Sequence, residues 1–179
     1  NAVWPDASTR PLLVAPDENP DGDYLKQVFT ALPGDPRDTI DACTWHMYMG
    51  YGLDPDLRKK MQEAETYNNI NIDSNEVLSA INEDAPGLAV WVGETAAAWH
   101  SGQNYTTNAF ISSLWYVQQL AILAPTHSVQ CRQTFMGGYY ELVDKWTKKP
   151  NPDYFTALIW KRVVGEAIIA TNAAAPSSL

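Results

Sequence analysis

Four places in this 179-residue chain bring together residue types able to attack carbon or move protons. Glu94 follows the apolar run Leu88-Ala89-Val90-Trp91-Val92-Gly93, so its carboxylate is expected at the rim of a buried strand. There it can cap the following turn. As a charged group it can instead attack an anomeric carbon or stabilise an oxocarbenium-like transition state. His46 and Tyr48 follow a second run, Ile40 to Trp45, and residues two apart on an extended segment face the same way. A histidine so placed serves as a base or as a hydrogen-bonded structural residue. Tyr48 and Tyr140, the latter just past Gly137-Gly138, can donate hydrogen bonds to a substrate or to Glu94, or can pack as plain aromatics. Asp17 closes the first run, Pro11 to Ala15.

The elements that must position these groups are legible as a rhythm. Apolar runs at Pro11–Ala15, Ile40–Trp45, Leu88–Gly93 and Ser128–Phe135 alternate with longer amphipathic stretches. Leu25, Val28, Phe29 and Leu32 recur at helical spacing from Tyr24, and Pro33-Gly34 stops that helix. Asp54-Pro55 reads as a helix start, and Glu76 to Ile81 as a helical turn or two. A long helix is predicted from Thr107, as its cap, to Ala124 before Pro125, and a last one from Asn151 to Val164 before Gly165. Four strand-then-helix units argue for an α/β fold with parallel strands and helical crossovers. In such folds the chemistry gathers at the C-terminal ends of the strands. No linker divides the chain, and residues 172–179, rich in Ala, Ser and Pro, read as a frayed tail after a single unit over 1–171.

Composition narrows the function. Twelve basic against 21 acidic side chains give a net charge of −9, which excludes a generic nucleic-acid binder. Seven Trp and nine Tyr suit a packed core and equally the wall of a sugar site. Arg58-Lys59-Lys60, Lys145 with Lys148 and Lys149, and Lys161-Arg162 read as solvated faces. The longest apolar stretch, Leu114 to Leu123, falls short of the ~20 residues a spanning helix needs. Cys43 and Cys131 show neither CxxC nor ligand spacing, so no metal and no cofactor is expected; they read as free or bridged, with two buried thiols the plainer option. Asn104-Tyr105-Thr106 is an N-glycosylation sequon, at home in a secreted protein.

Longer motifs go further. Thr44-Trp45-His46-Met47-Tyr48, the stretch Trp91 to Gly102, Cys131 to Asp144 and Pro152-Asp153-Tyr154-Phe155 follow in one order. Together they resemble the heparanase-like β-glucuronidases, glycoside hydrolase family 79, and the plant and microbial members more than the animal heparanases. The resemblance runs from about Leu12 to Ile169. It implies a (β/α)₈ TIM barrel, of which this chain supplies about strands five to eight. It also implies retaining hydrolysis of β-linked glucuronides by two glutamates, with Glu94 at the nucleophile position, Tyr48 and Tyr140 at site tyrosines and His46 beside them. A secreted, cell-wall or lysosomal/vacuolar location goes with it.

Departures from that family shape the expectation. Its acid/base Glu sits in an Asn-Glu motif after strand four, upstream of this segment. Asn75-Glu76 and Asn82-Glu83 lie in a polar helical stretch and read as decoys. A Gly-rich loop that holds the uronate in the animal enzymes is Trp99-His100-Ser101-Gly102 here, and a Gln after the first strand is Pro20. Half of a parallel barrel leaves two strand edges unpaired, and retention needs a second carboxyl group about 5–5.5 Å from the nucleophile. The chain is therefore expected to partner the remaining half of the barrel, and by itself to be inactive. A non-catalytic structural or carbohydrate-binding subunit is the alternative. The acidic charge favours terminal glucuronic acid of a lightly charged glycan over the interior of a sulfated one.

Overall fold

A computed structural model describes residues 4, 6, 8–165 and 167. The tail predicted over 172–179 lies outside the described residues. In chain order the elements are β1 (Val14–Glu18), α1 (Gly22–Ala31), α2 (Pro36–Thr39), β2 (Ala42–Tyr51), α3 (Leu57–Lys60), α4 (Ala64–Asp84), β3 (Ala89–Trp99), α5 (Phe110–Leu123), β4 (Val129–Arg132) and α6 (Pro152–Val163). The four strands form one sheet in the order β1-β2-β3-β4, every neighbouring pair parallel. This is the α/β fold with a parallel sheet that the alternation of runs predicts.

Helices cover one face of the sheet. Cys43, Trp45, Met47 and Met49 of β2 and Val90 and Val92 of β3 are buried there with Leu25 and Phe29 of α1, Ile70, Val77 and Ile81 of α4, and Trp115 and Leu123 of α5. Alternation sends Thr44, His46 and Tyr48 to the opposite face. A buried Arg132–Asp153 pair at 2.7 Å, with Ser112 and Ser113 hydroxyls also on Asp153, ties β4 to α5 and α6. Arg132 further donates to the carbonyls of Thr95 and Tyr140, fixing the loop after β4 to β3.

Several boundaries differ from the sequence reading. The strands continue past the apolar runs: β2 reaches Tyr51 and β3 reaches Trp99, so His46, Tyr48 and Glu94 lie within strands rather than on the loops beyond them. Buried small residues, Ala96, Ala97 and Ala98, extend β3 without any branched apolar signal. The turn or two predicted at Glu76–Ile81 is the C-terminal part of the 21-residue α4. Its buried positions Tyr67, Ile70, Ser74, Val77, Ala80 and Ile81 keep helical spacing among many polar neighbours. Thr107 is not a helix cap. The helix starts at Phe110, and Thr107 Oγ1 instead accepts from Gln103 N–H and donates to the Tyr139 carbonyl. Both Asn-Glu pairs lie on α4 away from any strand end: Glu76 accepts from Gly22 N–H and Glu83 pairs with Lys26. Cys43 is buried, Cys131 is exposed, and both are free thiols.

Candidate active site

Two bulges set the geometry. Along β3, Trp45 of β2 pairs with Val92 but His46 pairs with Glu94, so Gly93 is an extra residue. The ladder to β4 shifts over the same interval, Val92 to Thr95. Strict alternation would leave Glu94 on the helix-covered face with Val90 and Val92. The extra residue reverses the phase: Thr95 takes the helix side, its hydroxyl donating to the Met47 carbonyl or Gln119 Oε1, and Glu94 emerges beside His46 and Tyr48. Re-aiming a side chain in this way is what a bulge accomplishes. Glycine at 93 leaves room for the Asp17 carboxylate, whose Oδ1 lies where a Cβ would stand.

The second bulge is Asp17 itself. Pro16 pairs with Thr44 and Glu18 with Trp45, leaving Asp17 as the extra residue of β1, in a left-handed conformation with φ 64°. Aspartate tolerates that conformation better than most residues.

Glu94 accepts a 2.7 Å hydrogen bond from the Tyr48 hydroxyl at Oε2, and His46 Nδ1 lies 3.8 Å from the same oxygen. The Glu94 side chain is 37% exposed, open enough for a substrate to reach. Burial, then the hydrogen bond to Glu94 and its negative charge, push the Tyr48 phenol well above the ordinary tyrosine range. Tyr48 therefore remains a donor at any pH at which the protein works. On the far side of the ring His46 Nε2 lies 3.3 Å from Asp17 Oδ1, buried but without hydrogen-bond alignment.

Three of the five residues singled out in the sequence, Glu94, His46 and Tyr48, thus gather around one carboxylate oxygen, and Asp17 lies beside His46. Tyr140 sits on the loop after β4, buried, with Gln133 Nε2 at the 3.5 Å limit of donation to its hydroxyl. Asn104 is exposed on the loop between β3 and α5. A pocket of about 540 Å³ opens beside the cluster, lined by Asn19, Pro20, His46, Tyr48, Asp73 and Trp99. Trp99 stacks on Tyr51 at 4.2 Å between ring centroids and exposes half its surface. Burial, followed by the neighbouring charge of Glu76, raises the Asp73 carboxyl above its usual range. Sequence reasoning missed Asp73, which looks like any polar residue of a helix, and Gly93, whose only signal is its place before the glutamate. Among the described residues no group of three or more His, Cys, Asp or Glu could hold a metal ion.

The profile of glycosyl hydrolase family 79, N-terminal domain, matches residues 1–121, two thirds of the chain. The chain belongs to glycosyl hydrolase family 79. Within family 79 it is 37% identical over 173 residues to heparanase-like protein 1 of Arabidopsis thaliana, covering 95% of this chain and 31% of that protein. It is 32% identical over 173 residues to the baicalin-beta-D-glucuronidase of Scutellaria baicalensis, covering 95% of this chain and 32% of that enzyme. Heparanase of Gallus gallus is 32% identical over 135 residues, 74% of this chain and 25% of that protein. This family 79 chain spans about a third of the length of the plant relatives. Among solved structures, the GH51 arabinofuranosidase from Xanthomonas axonopodis pv. citri superposes with a TM-score of 0.68 at 13% identity, over 87% of this chain and 35% of that one. At that identity the likeness concerns the fold.

Proposed function

We propose that this chain carries the nucleophile side of a retaining glycoside hydrolase site for β-linked glucuronic acid, with Glu94 as the nucleophile. The observation that carries the reading is the hydrogen bond from Tyr48 to Glu94 Oε2, made between neighbouring parallel strands on the face that the helices leave open. With Oε2 so held, Oε1 attacks the anomeric carbon as the glycosidic bond breaks. The leaving oxygen takes a proton from a second carboxylic acid, and water then releases the sugar from the ester. Tyr140 and His46 bind the substrate around that carbon. The names of the relatives, a glucuronidase and heparanases, support the sugar assignment. The net charge of −9 supports terminal glucuronic acid on a lightly charged glycan, since a dense polyanion is drawn to a basic cleft.

The acid/base carboxyl belongs, in this reading, to the remaining strands of a (β/α)₈ barrel in which β1 to β4 are strands five to eight. The open outer edges of β1 and β4 support this, because each has one neighbour in a fold whose strands normally have two. A secreted, cell-wall or lysosomal/vacuolar setting, with Asn104 glycosylated, completes the proposal. The positions of Asn75-Glu76 and Asn82-Glu83 on α4 favour one competing reading, a non-catalytic carbohydrate-binding subunit. No helix among the described residues is long and apolar enough to cross a membrane.

A fluorinated mechanism-based inactivator, a 2-deoxy-2-fluoro-β-glucuronyl fluoride, separates the two. Applied to the protein containing this chain and the rest of its barrel, it should add one uronyl group to the peptide bearing Glu94. Labelling at another carboxylate, or none despite binding of glucuronides, overturns the assignment. Glu94→Gln should reduce turnover of 4-nitrophenyl β-D-glucuronide to background.

A further inference from the structure

Asp17 has no part in the site as described so far, yet its carboxylate lies at the centre of it. The two bulges flank Trp45 of β2: Asp17 on β1 is the extra residue opposite Thr44 and Trp45, and Gly93 on β3 the extra residue opposite Trp45 and His46. Because glycine at 93 has no Cβ, the Asp17 carboxylate spans β2 and rests against the backbone of β3 beside Glu94. On that path it passes His46, with Oδ1 3.3 Å from Nε2. Nε2 is buried and makes no aligned hydrogen bond among the described residues, so Asp17 Oδ1 at 3.3 Å is the acceptor within reach of its proton. The opposite nitrogen, Nδ1, faces Glu94 Oε2 at 3.8 Å, where the Tyr48 hydroxyl already donates. The imidazole is thus bracketed by two carboxylates, with Tyr48 and Asp73 as the other titratable groups around its pocket.

We propose that Asp17 is a positioning residue for the nucleophile: it accepts the Nε2 proton of His46 and so fixes the ring with Nδ1 turned toward Glu94. A neutral imidazole carries one N–H. With that proton directed at Asp17, Nδ1 offers Glu94 a lone pair and not a donor. Glu94 is then held by Tyr48 alone, and the charge that must attack the anomeric carbon is not spread into a second hydrogen bond. Without Asp17 the ring is free to donate from Nδ1 to Glu94 and to weaken the nucleophile. A carboxylate that sets the tautomer of a histidine next to the reacting group is an established way to control such a site, and here the Asp17 carboxylate does so while about half exposed. The paired bulges explain why both a left-handed Asp and a glycine occur here. Each is needed to bring an oxygen from β1 over β2.

This inference rests on Glu94 being the nucleophile, and a mutant cycle tests it separately. In the protein with its complete barrel, Asp17→Ala should lower kcat for 4-nitrophenyl β-D-glucuronide about tenfold, the lower end of the cost of losing a histidine's outer partner, with KM changed less than about twofold. Asp17→Asn, whose amide oxygen can still accept from Nε2, should recover activity to within about threefold of the parent. In a His46→Ala background Asp17→Ala should cost nothing further. Parent-like kcat for Asp17→Ala, or an equal loss with and without His46, overturns the proposal. Should Asp17→Ala fail to fold, Gly93→Ala displaces the same carboxylate by its Cβ and enters the same cycle. Failure of the inactivator to label Glu94 would sink the nucleophile assignment. Labelling at Glu94 together with an uncoupled Asp17→Ala would sink only the role of Asp17.

Discussion

The Tyr48 hydroxyl reaches diagonally across a parallel ladder to Glu94 Oε2 at 2.7 Å, although the register pairs Tyr48 with Ala96 and Glu94 with His46. The bulge at Gly93 makes this possible by placing the two side chains on the same open face. A hydrogen bond to a charged group is worth about 1.5–3 kcal/mol. Tyr48→Phe should therefore lower kcat/KM for an aryl glucuronide roughly ten- to hundredfold, with the fold retained by circular dichroism. Because the phenol is pushed up, chiefly by burial, it stays protonated where ordinary tyrosines ionise. Absorbance titration at 295 nm should show the same amplitude up to about pH 11 for parent and Tyr48→Phe, ordinary tyrosines ionising near 10.

The two cysteines should differ sharply in reactivity. Cys43 is buried in the sheet, and burial pushes its thiol up to about 12, while Cys131 is exposed at the end of β4. Ellman's reagent should titrate Cys131 in the native protein and reach Cys43 only after denaturant is added. Rapid reaction of both thiols under native conditions would contradict the packing of β2.

His127 supplies a pH dependence of stability. Its Nε2 accepts from Trp45 Nε1–H at 3.0 Å, and burial lowers its pKa to about 4 from an ordinary 6.5. Above pH 6.5 the imidazole is neutral in both states and its contribution is complete. Below 6.5 the unfolded chain takes up a proton that the folded one refuses, so stability falls as pH drops toward 4, by up to about 3 kcal/mol. Urea midpoints should decline between pH 6.5 and 5 in the parent and decline less in His127→Gln.

Breaking the Arg132–Asp153 pair should be costly. Both side chains are almost fully buried, and Asp153→Ala leaves the guanidinium without its counter-charge. A destabilisation of about 3–5 kcal/mol is expected. At about 2–4 °C per kcal/mol for a chain of this size, the melting temperature should fall by roughly 6–20 °C. A drop of only a degree would mean that neither the ion pair nor the serine hydrogen bonds to Asp153 hold α6 in place.

How much of this was legible beforehand depends on the element. The parallel α/β fold, α1, α5 and α6 follow from apolar periodicity and Pro/Gly punctuation, and they stand within a few residues of where those signals place them. The full length of α4 was not legible, because its Asp- and Asn-rich first half resembles a loop and is helical through packing of Tyr67, Ile70 and Ser74. Strand ends were also underestimated, since Ala96 to Ala98 bury as fully as any valine without looking like a strand. The motifs around Glu94, His46 and Tyr48 pointed to one family, and the profile match bears that out.

The sequence by itself determined which polar groups follow the buried runs of the strands, because such runs and their punctuation are local properties of the chain. It also determined that His46 and Tyr48 share a face, since a period of two is a property of any strand. Which face Glu94 occupies was decided by the tertiary structure alone. Alternation along β3 would put it in the core, and only the extra residue at Gly93, counted against two neighbouring strands, turns it outward. The approach of Asp17 to His46 belongs to the same class. It requires two bulges on strands that are not adjacent, and pairing register is a relation between segments that no single segment encodes.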